Sequence, residues 1–125
     1  MKRVLVVDDE PELAEVVREY LRDRYDVEVA NSGPAALASF RARRPDVVFL
    51  DINMPGPSGI EVLKELQQAD ASVPVIMVTV NTEVAVVQEC LREGAFAYVP
   101  KPFDLKYVDH MAALATQQVR GNRPA

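Results

Sequence analysis

Val47-Val48-Phe49-Leu50-Asp51 carries four apolar residues without a break into a single acid. A strand with one wet face alternates apolar and polar side chains, so an unbroken run reads as a strand covered on both faces. Pro45 stands just ahead of it, outside the hydrogen-bonded ladder. Two other runs have the same form. Val4–Val7 leads into Asp8 and Asp9, and Val75–Val78, preceded by Pro74, leads into Thr79. Shorter β-branched runs at Val27–Ala30 and Phe96–Val99 complete a set of five.

The segments between them change period from two to about 3.6. Leu13, Val16, Val17, Tyr20 and Leu21 form one helical stripe, and Ala36, Leu37 and Phe40 a shorter one. Ile60, Leu63 and Leu66 follow, then Val84, Val87 and Leu91. The last helix shows Leu105, Val108, Ala112, Ala115 and Val119, in steps of three and four. Pro11 and Pro34 sit where a first helical turn tolerates a missing N–H. Gly33, Gly59 and Gly94 fall at element boundaries. Five strand–helix units in strict alternation imply an α/β fold: a five-stranded parallel sheet with helices on both faces. The expected domain spans residues 1–119, with 120–125 a flexible tail or the start of a linker.

The composition of the 125-residue chain is that of an ordinary globular domain, with 49% hydrophobic and 26% charged residues. No apolar run approaches the roughly 20 residues that span a bilayer, and the apolar start is too short for a signal peptide; a cytoplasmic protein is expected. Fourteen basic and nineteen acidic side chains leave a net charge of −5, a poor match for nucleic acid or an anionic membrane. Arg41, Arg43 and Arg44 are the one dense basic group, read as a solvated helix end. Cys90 stands alone, which excludes an intramolecular disulfide, and its helical setting suggests a small buried thiol.

The polar residues that matter lie just past the strands. Asp8 and Asp9 follow the first, Asp51 ends the third, Thr79 ends the fourth, and Lys101 lies just past the fifth. In an open parallel sheet all would project onto one rim, where ligands bind. Singly, each has a bland reading as a cap, a loop acid, a strand-end hydroxyl or a solvated charge. Together they make a chemical set. Crowded carboxylates call for a cation, and hard oxygen ligands suit Mg²⁺, with Mn²⁺ as a substitute. Beside such a cation one carboxylate can attack phosphorus. An ammonium such as Lys101 and a hydroxyl such as Thr79 then neutralise the phosphoryl oxygens. An aspartate is already ionised at neutral pH, so the lone His110 is not needed as a base.

Four motifs occur in order: Val6-Val7-Asp8-Asp9-Glu10-Pro11, Leu50-Asp51-Ile52-Asn53-Met54-Pro55-Gly56, Val78-Thr79 and Lys101-Pro102-Phe103. With this spacing the chain, over about residues 2–119, resembles the receiver domain of two-component response regulators. The resemblance implies a flavodoxin-like (βα)₅ fold with strand order 2-1-3-4-5. It implies that Asp51 is the phosphoacceptor, Asp9 a direct Mg²⁺ ligand, Asp8 a ligand mainly through water, and the Asn53 backbone carbonyl a further ligand. It gives Thr79 and Lys101 the phosphoryl oxygens, Lys101-Pro102 a cis peptide, and Tyr98 the role of switch aromatic that follows Thr79. The implied partner is a sensor histidine kinase or phosphotransfer protein, and the implied signalling and homodimer face is helix 4–strand 5–helix 5. Such a domain is not an enzyme in its own right, although it assists its own phosphotransfer and dephosphorylation.

Some residues depart from the family pattern. Val80 follows Thr79 where the family usually has a small residue, and a β-branched side chain there narrows access to Asp51. Asn53 and Asn81 occupy positions that tune phosphoryl lifetime, and Ser58 replaces a frequent Asp while remaining a competent helix cap. Two other readings stand beside this one. The order Asp51, Thr79, Lys101 is similar to that of haloacid-dehalogenase phosphohydrolases, although Asn53 stands where those need an acid. A receiver-like docking module that is never phosphorylated is the second.

Overall fold

A computed structural model describes residues 1–80 and 83–121, with side chains in the last helix as far as residue 117. Five strands, β1 (Lys2–Val7), β2 (Tyr25–Ala30), β3 (Val47–Asp51), β4 (Val75–Thr79) and β5 (Ala97–Pro100), alternate with five helices. The helices are α1 (Pro11–Leu21), α2 (Gly33–Ala42), α3 (Gly59–Ala69), α4 (Val84–Arg92) and α5 (Leu105–Gly121). All strand pairs are parallel, and the sheet order is β2-β1-β3-β4-β5. The chain turns outward from β1 to β2, then back across β1 to β3. The order therefore reverses between β1 and β3, and their carboxyl ends flank the crevice where such sheets bind ligands.

Alternation along each strand divides the core into two layers. Leu5, Val7, Val48, Leu50, Val75 and Met77 face Ala36 and Phe40 of α2, Val62, Leu63 and Leu66 of α3, and Cys90 of α4. Val4, Val6, Val47, Phe49, Ile76, Val78 and Val99 face Ala14, Val17 and Leu21 of α1 and Val108, Met111, Ala112 and Ala115 of α5. The three uninterrupted apolar strands are thus the three central ones, and β3 and β4 are buried at every position. Each fully buried Leu, Val or Phe contributes about 1.5–3 kcal/mol relative to an exposed one.

Two helical stripes differ from the sequence expectation. In α1 the inward residues are Ala14, Val17 and Leu21, while Val16 is exposed. Ala14 lies on the 3–4 spacing with the other two, and its small side chain lets the helix sit close to the sheet. In α4 the inward residues are Cys90 and, half-buried, Val86, a step of four. Val84 and Leu91 are exposed. This helix is apolar around more of its circumference than the sheet covers, so periodicity alone selects the wrong face. Val119 and Asn81 lie outside the residues whose side chains are described, as do residues 122–125.

Local chemistry sets the helix starts. The Ser32 and Ser58 hydroxyls accept from the N–H groups of Ala35 and Glu61, capping α2 and α3. The polar residues that interrupt β1 and β2 pair with each other: the Arg3 guanidinium bonds Asp26 at 2.7 Å and Glu28 at 2.6 Å. Arg41, Arg43 and Arg44 are exposed around the end of α2, where Arg43 reaches Asp26 and Arg44 reaches Asp70, both at 3.6 Å.

Candidate functional site

The rim above the carboxyl ends of the strands gathers the residues singled out by the sequence. Asp51 closes β3 with 3% of its surface exposed, and Thr79 closes β4 with none. Asp8 follows β1 directly and is buried; Asp9 beside it is half-buried. Lys101 follows the last residue of β5, and its main-chain N–H donates to the Thr79 carbonyl at 2.8 Å. The Lys101-Pro102 peptide is cis.

The Lys101 side chain draws these elements together. Its Nζ lies 3.0 Å from Asp8 Oδ2, 3.5 Å from Asp51 Oδ2 and 3.5 Å from Glu10 Oε1. Only a tenth of that side chain is exposed, and Asp8 and Asp51 are buried, so these two ion pairs are shielded from water far better than a surface pair. Glu10, by contrast, is exposed. Asp51 Oδ1 accepts the Asn53 N–H at 3.1 Å, while Asn53 Nδ2 donates to Thr79 Oγ1 at 3.4 Å. Both ends of Asn53 thereby tie the β3 acid to the β4 hydroxyl. Tyr98, opposite Met77 in β5, is half-buried against the α2–α4 side of the core. Val80 projects to solvent, 64% exposed.

Asp8 and Asp9 do not cap α1. The residue at the cap position is Glu10, whose side chain makes no capping bond, and its own N–H donates to Asp8 Oδ1 at 2.9 Å. Gly59 explains how α3 can begin so near Asp51. A Cβ there would strike the Asp51 carbonyl oxygen and the Ile52 Cα, so only glycine allows the helix to press on the end of β3.

Burial pushes the Asp51 carboxyl up to about 6 from its ordinary 3.8. The Asn53 N–H and the Lys101 charge oppose that rise, and the charges of Asp8 and Asp9 add to it. That value still lies below neutral pH, so Asp51 stays mainly carboxylate there. For Lys101, burial alone would push the ammonium down. The Asp8 hydrogen bond and the charges of Asp51, Asp8 and Glu10 outweigh burial and hold it above its usual value.

The donors fit a hard divalent cation. Carboxylate oxygens of Asp8, Asp9 and Glu10 come within 4.8 Å of one another, and a positive group, Lys101 Nζ, already bridges Asp8, Asp51 and Glu10. All the ligand atoms on offer are oxygens, and this chemistry favours Mg²⁺ over softer metals. Two residues at this rim were given no role by the sequence, Glu10 although it stands in the first motif, and Asn31. Glu10 enters through its contact with Lys101, and Asn31 donates through Nδ2 to the Asp8 carbonyl at 2.8 Å. A signal for Asn31 exists: it is the polar residue directly after β2, the one strand whose end had been assigned nothing.

A parallel sheet with this strand order, carrying an acid, a hydroxyl and a lysine on one rim, defines a flavodoxin-like α/β domain. The chain belongs to the response regulator receiver domain family, whose model matches residues 4–113. It is 44% identical over 106 residues to the DNA-binding response regulator MtrA of Mycolicibacterium smegmatis, covering 84% of this chain and 46% of that protein. It is 39% identical over 118 residues to the regulatory protein AtoC of Escherichia coli, covering 94% of this chain and 26% of that one. Among solved structures, the Vibrio cholerae chemotaxis protein CheY4 superposes with a TM-score of 0.88 at 32% identity, covering 92% of this chain and 98% of the other. The chain thus spans less than half the length of these two regulatory relatives. The phosphohydrolase and docking-module readings find no support among these relatives. No helix among the described residues is long and apolar enough to cross a membrane.

Proposed function

We propose that this receiver domain accepts a phosphoryl group on Asp51 from a histidine kinase or phosphotransfer protein. One observation carries the reading. A buried strand-end carboxylate, Asp51, shares a single ammonium, Lys101, with a second buried carboxylate, Asp8, and a buried hydroxyl, Thr79, closes the next strand. Asp8, Asp9, Asp51 and the Asn53 carbonyl would hold Mg²⁺, or Mn²⁺ in its place. The metal supplies positive charge for the phosphoryl oxygens and eases the repulsion among the acids.

The chain's own residues do the rest. An Asp51 carboxylate oxygen forms the new bond to phosphorus while the bond to the donor breaks, and the leaving group departs with that electron pair. The Lys101 ammonium and the Thr79 hydroxyl donate to phosphoryl oxygens. Drawing Thr79 towards the phosphoryl group gives Tyr98 room to turn inward, which changes the α4–β5–α5 face. Val84 and Leu91 on α4 and Tyr107 and Leu114 on α5 are exposed large side chains. They suit this face to docking an output partner or a second copy of the chain. The domain assists its own phosphotransfer and dephosphorylation, occupies residues 1–119, and works in the cytoplasm.

The test is incubation with acetyl phosphate and Mg²⁺, followed by intact-mass measurement beside Asp51→Asn. The reading predicts one added phosphoryl group on the parent, lost with chelator and with the variant. An unmodified parent that still binds Mg²⁺ would contradict it.

A further inference from the structure

Asp8 is held through every polar atom it has. Its N–H donates to the Ala30 carbonyl at 3.1 Å, its Oδ1 accepts the Glu10 N–H at 2.9 Å, and its Oδ2 accepts Lys101 Nζ at 3.0 Å. The fourth atom, the carbonyl oxygen, accepts Asn31 Nδ2 at 2.8 Å, a bond across 23 positions of sequence. That carbonyl belongs to the peptide joining Asp8 to Asp9. A peptide is planar, so fixing its oxygen fixes the direction in which the chain enters Asp9. Asn31 therefore acts on Asp9 without touching its carboxylate.

The start of α2 does not depend on the Asn31 carboxamide. The cap of α2 is already supplied by the Ser32 hydroxyl, which accepts from Ala35 N at 3.2 Å. The chemical type is also specific. A carboxylate at this position would set oxygen against the Asp8 carbonyl oxygen and add another negative charge beside Asp8, Asp9, Glu10 and Asp51. A neutral amide gives a donor and no charge.

We propose that Asn31 is a positioning residue: it holds the Asp8–Asp9 peptide from the neighbouring strand so that the two carboxylates are pre-set for a divalent cation. The inference rests on the metal-site reading given above. Groups that orient metal ligands through hydrogen bonds commonly matter by 10–100-fold in affinity, and an exposed side chain such as Asn31 belongs at the low end of that range.

The test is Mg²⁺ titration calorimetry on the full chain, for the parent, Asn31→Ala and Asn31→Leu, which keeps the side-chain size without the donor. Phosphorylation by acetyl phosphate is followed in parallel across Mg²⁺ concentrations. Both variants should bind Mg²⁺ about tenfold more weakly, yet approach the parental phosphorylation rate once Mg²⁺ saturates. Asn31→Gln, which keeps the donor one methylene further out, should recover part of the affinity. Thermal unfolding in chelator should stay near the parent's, which separates positioning from loss of fold. Affinity within about twofold of the parent in both donor-less variants overturns the proposal and leaves the site reading intact. A parent that binds no Mg²⁺ overturns both.

Discussion

Replacing Asp51 by Asn should stabilise the metal-free domain, and the size of the gain follows from the site. Burial lifts the Asp51 carboxyl from 3.8 to about 6, against the opposing pull of Asn53 and Lys101. The folded state therefore binds this proton more tightly than the unfolded chain does. The contribution of this group is complete below about pH 3.8 and is lost as pH rises towards about 6. Above that range the folded protein carries a penalty of roughly two pKa units, at most ~3 kcal/mol. Relaxation of the surrounding groups around the charged carboxylate reduces that figure, so about 1–3 kcal/mol is the working range. Asparagine keeps the shape and removes the charge. Urea unfolding followed by circular dichroism, in chelator at pH 7.5, should give Asp51→Asn the higher midpoint by that amount. The gap should close as pH falls towards 4. Adding Mg²⁺ should stabilise the parent and leave the variant almost unmoved, because ligand binding to the folded state alone adds stability by mass action. A variant less stable than the parent at pH 7.5, or a gap that does not change with pH, would refute the electrostatic account of this site.

Other perturbations test neighbouring parts of the structure. Gly59→Ala forces a methyl onto the Asp51 carbonyl and the Ile52 backbone, and should cost about 2–4 kcal/mol in urea unfolding. Lys101→Met leaves the Asp8 and Asp51 carboxylates without their shared ammonium. In chelator it should lower the thermal midpoint by several degrees, roughly 1–3 kcal/mol, and Mg²⁺ should restore part of the loss. Leu66→Ala empties a fully buried position in the α3 layer, and about 2–5 kcal/mol should be lost in the same denaturation assay.

Much of this fold is legible along the chain because the strands are buried on both faces. Val4–Val7, Val47–Leu50 and Val75–Val78 cannot be surface strands, and alternation with helices leaves a parallel sheet as the consistent solution. The rim residues are legible for a related reason: a polar side chain directly after an apolar strand has one place to go. The surface of α4 is not legible in this way. Val84, Val86, Val87 and Leu91 offer more apolar positions than one face needs, and packing against Met77 and its neighbours selects Val86 and Cys90 instead. Val16 in α1 is outward for the same kind of reason, since Ala14 carries little hydrophobic signal but lies on the buried line. Glu10 and Asn31 were hidden differently. Their contacts with Lys101 and the Asp8 carbonyl join elements that meet only in the folded sheet; the sequence shows a polar residue after β2 and an acid after Asp9, but not what either one touches.

The central claim is that the phosphoryl group is carried as an acyl phosphate on Asp51. Borohydride reduction of the phosphorylated chain converts a phospho-aspartate to homoserine, which peptide mass mapping locates. The account predicts homoserine at position 51 alone, and only after treatment with both phosphodonor and Mg²⁺. Homoserine at Asp8 or Asp9, or a phosphorylated chain in which Asp51 survives reduction unchanged, would contradict it.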